Sequence, residues 1–102
     1  MIHVIATITV APAAKKKLIA LFKKNIPKVQ AEDGCIAYGL TVDVDSGIPI
    51  QTGPRDDVVT VVETWESLEH LRAHLATPNM AEYHRATEGM VAGVTLQVLE
   101  PV

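Results

Sequence analysis

Aromatic side chains are scarce: among 102 residues only Phe22, Tyr38, Trp65 and Tyr83 carry one. The core must therefore be aliphatic, and aromatics that share a face call for an explanation beyond packing. Cysteine is scarcer still, because Cys35 stands alone, which excludes an intramolecular disulfide and a cysteine-based zinc site. No apolar run approaches the ~20 residues of a membrane span. The opening Met-Ile-His-Val-Ile-Ala lacks the basic stretch of a signal peptide. A cytoplasmic location without a membrane partner is the expectation. Neither sign of charge dominates, with 9 Lys and Arg against 12 Asp and Glu and a net charge of −3. All six lysines fall between Lys15 and Lys28, which reads as a solvated helix face. No aromatic stacking platform accompanies them, so no nucleic-acid partner is expected. The length fits one domain spanning 1–102 and leaves no room for a separate cofactor-binding domain.

The patterning that is present alternates between two periods. Residues 2–10, IHVIATITV, alternate as a strand. Pro12 suits the first position of a helix. Apolar residues at Leu18, Leu21, Phe22, Ile26 and Val29 continue that helix to Ala31, with Pro27 loosening its end and Asp33-Gly34 stopping it. Residues 35–44 form a second strand with Ile36, Tyr38, Leu40, Val42 and Val44 on one face. Asp45 to Asp57 holds two Gly and two Pro and forms no regular element. Val58 to Glu66 is a third strand. Ser67 caps a helix whose inward stripe is Leu68, Leu71 and Leu75. Thr77-Pro78 restarts a short helix that runs to Glu88 and ends at Gly89, with Met80, Tyr83, His84 and Thr87 on one face. Residues 91–99 supply the last strand. The order βαβ–βαβ, with its second helix broken in two, predicts an α+β, ferredoxin-like split βαβ with a four-stranded antiparallel sheet.

Helices cover one face of such a sheet. The other would expose His3, Ile5, Thr7 and Thr9 of the first strand and Val58, Thr60, Val62 and Thr64 of the third. Apolar exposure is unfavourable at ~25 cal/mol per Å², so a homodimer packed sheet to sheet is expected. On the covered face the third strand places Val59, Val61, Glu63 and Trp65, so Glu63 is a carboxylate beneath a helix layer and needs a donor. His74, at the flank of the following helix, is the candidate. Glu63, Trp65, His74, Tyr83 and His84 would then line one cavity, with Tyr38 joining from the neighbouring strand. His70 and His74 are four residues apart but lack the Glu-bearing zinc-protease pattern, so no metal site is expected, and His70 should face solvent. No nucleophile elbow, phosphate loop or dinucleotide fingerprint occurs, and Cys35 has no evident neighbouring base.

The runs EDGCIAYGL and VVETWESLEHLRAHLATPNMAEYHRA, the framework between them and the closing LQVLEP resemble the antibiotic-biosynthesis-monooxygenase (ABM) family over essentially the whole chain, most closely its bacterial quinol monooxygenase branch. The resemblance implies a dimeric α+β barrel. It also implies cofactor-independent oxygenation or oxidation of quinols and related polyhydroxylated aromatics, with a small aromatic substrate and O2 as partners. No cofactor is required, because the substrate donates the electrons. On this resemblance His74 is the base or hydrogen-bond partner of the substrate oxygen, Glu63 orients and charges it, and Trp65 is a stacking wall that orients oxygen. Tyr38, Tyr83, His84 and Met80 become substrate contacts. A sister branch degrades haem with an asparagine on the first strand; that position falls near Ala6 here, and the strand has no asparagine. The competing class is a ligand-binding or regulatory module without turnover, since fold does not determine function.

Overall fold

Ile2–Val10 forms strand β1, in which Val4, Ala6, Ile8 and Val10 are buried while the residues between them are only partly covered. This is the alternation expected of a strand with one face on a core. A computed structural model describes residues 1–102. After β1 come helix α1 (Lys15–Gln30), strand β2 (Cys35–Thr41), strand β3 (Val58–Trp65), helices α2 (Leu68–Leu75) and α3 (Pro78–Ala86), and strand β4 (Val91–Leu99). The strands form one antiparallel sheet in the order β2-β3-β1-β4. This is the expected ferredoxin-like α+β arrangement, with the helices on one face.

Register places the chemistry. Glu63 lies between Val4 of β1 and Tyr38 of β2, and Trp65 between Ile2 and Cys35. All the strand residues of the Glu63 row share its face, which is the one beneath α1 and α2. Phe22, Leu18 and Val29 of α1 fill the space above the sheet together with Val59, Val61, Leu71 and Trp65. The two short helices have the expected caps: Ser67 Oγ accepts from the His70 amide, and Thr77 Oγ1 from the Met80 amide with Pro78 behind it, each at 3.2 Å.

Four local expectations are corrected. Pro12 does not open α1; it sits in a turn with Ala13 at φ +67°, and the helix begins at Lys15. The helix runs through Pro27 to Gln30, as expected. In β2 the register shifts between Cys35 and Ala37, so Ile36 bulges out at 51% exposure, and the strand stops at Thr41, before Val42 and Val44. In α2 the inward residues are Leu71 and His74, whereas Leu68 and Leu75 are exposed. Val58, assigned to the open face, is buried at the strand's start.

The 42–57 connection has no helix or strand but is tied to itself. Arg55 Nε and Nη2 grip the Asp43 carboxylate at 2.8 and 3.0 Å, and the Arg55 amide donates to the same group. Those contacts hold the Asp43 carboxyl down at about 2.

The turn between α1 and β2 matters most for function. Gly34 adopts φ +79°, a conformation that side chains disfavour. A Cβ built there would stand 2.3 Å from the His70 ring, so α2 is seated directly on this turn. His70 is thus packed against Gly34 and hydrogen-bonded to Ser67 Oγ at 2.7 Å, instead of facing solvent. Gly34→Ala adds left-handed backbone strain to overpacking against α2. Its expected cost is about 2–4 kcal/mol, read as a lower denaturation midpoint at unchanged slope in urea unfolding.

Candidate active site

Two residues apart on β3, Glu63 and Trp65 point to the same face, and the strand alone brings them together: the Trp65 indole Nε1 donates to Glu63 Oε1 at 2.9 Å. Both are buried, Trp65 completely. Burial pushes the Glu63 carboxyl above the usual carboxylate range, and the indole hydrogen bond and nearby His74 pull against that rise.

His74 reaches this pair from α2. Its side chain is 1% exposed, and its ring stacks on Trp65 with centroids 4.7 Å apart and 29° between planes. Its polar partner is Glu32, whose Oε1 lies 2.9 Å from His74 Nδ1. This corrects the expected Glu63–His74 pairing: Glu63 is occupied by the indole, and Glu32, on the turn before β2, takes the histidine. A carboxylate only accepts, so Nδ1 donates and Nε2 becomes the nitrogen able to take a proton.

Tyr38 presents an edge to His74 at 5.6 Å and stacks on Phe22 at 5.4 Å with 7° between planes; Phe22 in turn meets Tyr83 edge-on at 5.7 Å. Burial, then the Glu63 charge, drives the Tyr38 phenol far above its ordinary value, and burial alone lifts Tyr83 to about 12. Both are neutral phenols at physiological pH. Cys35 is also pushed up, first by burial and then by Glu32 and Glu63, so it stays a thiol.

The structure therefore unites Glu63, Trp65, His74 and Tyr38, with Tyr83 at the outer end of the aromatic row. Met80 is buried beside its cap, and His84 is exposed, its ring 5.8 Å from that of Tyr83. No hydrogen bond or ring contact joins either to His74. The stack of Trp65 on His74 leaves no space for another ring between them, so side chains fill this part of the expected cavity. Sequence reasoning missed two members. Glu32 sits in the conspicuous EDG turn, and the pairing of Cys35 with Trp65 is the signal that this turn lies beside the end of β3. Phe22 reads as core on helical spacing, and it is core, but it also bridges both tyrosines.

With this geometry in view, comparison with known proteins gives a consistent answer. Residues 1–86 match the family model described as antibiotic biosynthesis monooxygenase, ABM. A relative from Escherichia coli K12, named "Probable quinol monooxygenase YgiN", is 38% identical over 99% of this chain and 98% of its own length. Among solved structures, Rv0793 from Mycobacterium tuberculosis superposes with a TM-score of 0.80 at 26% identity, covering 99% of this chain and 94% of that one. PA3566 from Pseudomonas aeruginosa shares the fold, with a TM-score of 0.82 at 24% identity over 99% of this chain and 93% of its own. The chain belongs to the antibiotic biosynthesis monooxygenase family, and a monooxygenase of that type is what its family and relatives support.

The raised Glu63 carboxyl has a stability consequence whose sign is definite. The folded chain binds this proton more tightly than the unfolded chain, so stability falls as pH rises from about 4.3 through the raised value. Glu63→Gln keeps an acceptor for the indole and removes the buried charge. It is expected to be more stable than the parent at pH 7, with the advantage closing below about pH 4. Urea midpoints across that range read it, and parallel profiles for the two proteins would contradict it.

Proposed function

We propose that this protein oxidises quinols or related polyhydroxylated aromatics with O2, without a cofactor, and that His74 is its base. The observation that carries the reading is the His74–Glu32 contact in a buried aromatic setting. A carboxylate on Nδ1 fixes the tautomer and leaves Nε2 as the nitrogen that accepts the substrate's proton. The name carried by the Escherichia coli relative supports the substrate class.

The chemistry needs little beyond this. Nε2 removes a phenolic proton, and the resulting anion passes one electron to O2, giving a semiquinone and superoxide. Recombination at a ring carbon forms a peroxide, which takes back the proton held on Nε2 and loses water as its O–O bond breaks, leaving one oxygen atom on the ring as the hydroxyquinone. Transfer of the second electron and proton instead leads to the quinone and hydrogen peroxide, with two electrons and two protons leaving the quinol. Trp65 is the wall on which His74 stacks, so it positions the base, and Glu63 fixes the plane of the indole through its Nε1. Tyr38 and Tyr83 yield to admit the ring and then contact it. A dry surrounding protects the anion and the radical pair from bulk water.

The working form on this reading is a homodimer. Strand β4 pairs Val94, Leu96 and Val98 with Ile8, Ala6 and Val4, so these three lie on the helix side of the sheet, yet they remain 59%, 45% and 43% exposed. On the opposite face Val62 is 42% exposed beside Ile5 and the threonines of β1 and β3. A second copy packed on the sheet covers that opposite face and removes the exposure of Val62 and its neighbours. Light scattering at micromolar concentration is expected to give twice the chain mass, and the chain mass itself would overturn the dimer.

For catalysis, oxygen uptake with a panel of reduced quinones and no added cofactor is expected to show turnover. His74→Ala should lose roughly 10²–10⁴-fold in rate with an unchanged circular dichroism spectrum. Undiminished turnover in the variant removes His74 from the mechanism; tight quinol binding without oxygen consumption favours a binding module.

A further inference from the structure

Helices α1 and α3 leave between them a groove of about 240 Å³. Lys24 and Lys28 come from successive turns of α1, and Asn79 and Tyr83 from successive turns of α3. The chain buries two side-chain polar atoms that have no hydrogen-bond partner, Asn79 Nδ2 and Tyr83 Oη. Both belong to residues lining this one groove. Buried polar groups are almost always paired, so two orphans in one place point to a missing partner.

The chemistry of that partner follows from what surrounds it. An amide N–H₂ donates, and a phenol held at about 12 by burial keeps its proton and donates as well. Neither Lys24 nor Lys28 takes part in any ion pair of the chain. One carboxylate, Glu82, shares the groove, which leaves an excess of one positive charge. Four donors and net positive charge complement an anionic oxygen group. The groove also has a direction, because the Tyr83 ring at its floor meets Phe22, which stacks on Tyr38, which meets His74.

We propose that the groove between α1 and α3 binds the carboxylate of an acidic aromatic substrate, so that the enzyme prefers quinols carrying a ring carboxylate. This deepens the quinol-oxidising reading above and rests on it for the word substrate; the binding preference itself does not. The carboxylate sits between the two lysines and accepts from Asn79 and Tyr83. The ring then leads inward along the Tyr83–Phe22–Tyr38 row toward His74, with Tyr83 as the side chain that moves.

The test is equilibrium binding of oxidised naphthoquinones, which do not turn over, to the intact protein by titration calorimetry. A ring-carboxylated naphthoquinone is expected to bind about tenfold tighter than its uncarboxylated parent at low ionic strength, and added salt should shrink the preference. Lys24→Gln with Lys28→Gln should abolish it; both lysines are exposed, so the double variant keeps its fold, checked by circular dichroism. Tyr83→Phe should weaken the preference by about threefold. Equal binding of the two compounds, no binding of either, or an undiminished preference in the lysine double variant would each overturn the proposal. Absence of oxygen uptake with reduced quinones, alongside an intact carboxylate preference, would overturn the quinol-oxidising reading and leave the groove standing.

Discussion

Glu63 is a carboxylate placed where water scarcely reaches it, and the arrangement around it follows from that constraint. An ionised acid in such a place needs a donor, and β3 supplies one two residues away in the indole of Trp65. Because that hydrogen bond fixes the indole, Trp65 presents a flat wall to the helix layer, and His74 lies on it. The histidine then needs its own polar partner under cover, which comes from the turn that ends α1. Gly34 allows that turn to press against α2, so one backbone conformation sets both the seat of the helix and the reach of Glu32. Remove the indole–carboxylate bond and the sequence of supports loses its first member.

Much of this arrangement is legible in the sequence. β1 and β4 alternate cleanly, and their bounds agree with the structure residue for residue. Ser67 and Thr77 announce their helices through hydroxyls that can cap, and both do. The covered face of β3 follows from period two, which is why Glu63 and Trp65 could be placed under the helices. Expectation failed where tertiary packing chose between local options. Leu68 and Leu75 satisfy helical spacing as well as Leu71 does, but α2 is rotated by its seat on Gly34 so that Leu71 and His74 face inward. Ile36 continues an alternation that the bulge beside Cys35 interrupts. Glu32 and His74 meet across 42 residues of chain, and no local period encodes such a contact.

Function rests on a similar division. Side-chain types nominated the aromatic and histidine group, the family assignment supports monooxygenase chemistry, and the fold shows which carboxylate serves which partner. Two acids that read alike in sequence have separate tasks: Glu63 holds an indole and Glu32 holds an imidazole. The shortage of aromatics also takes on meaning, since all four rings stand in one connected group with His74.

The central claim is that Glu32 holds His74 through Nδ1 and leaves Nε2 free to accept a proton. Long-range proton–nitrogen NMR correlation of the histidine rings, at a pH where His74 is neutral, measures this directly. The account predicts that Nδ1 carries the hydrogen, and that Glu32→Gln shifts the population toward the other tautomer. A neutral His74 protonated at Nε2 in the unaltered protein would contradict it.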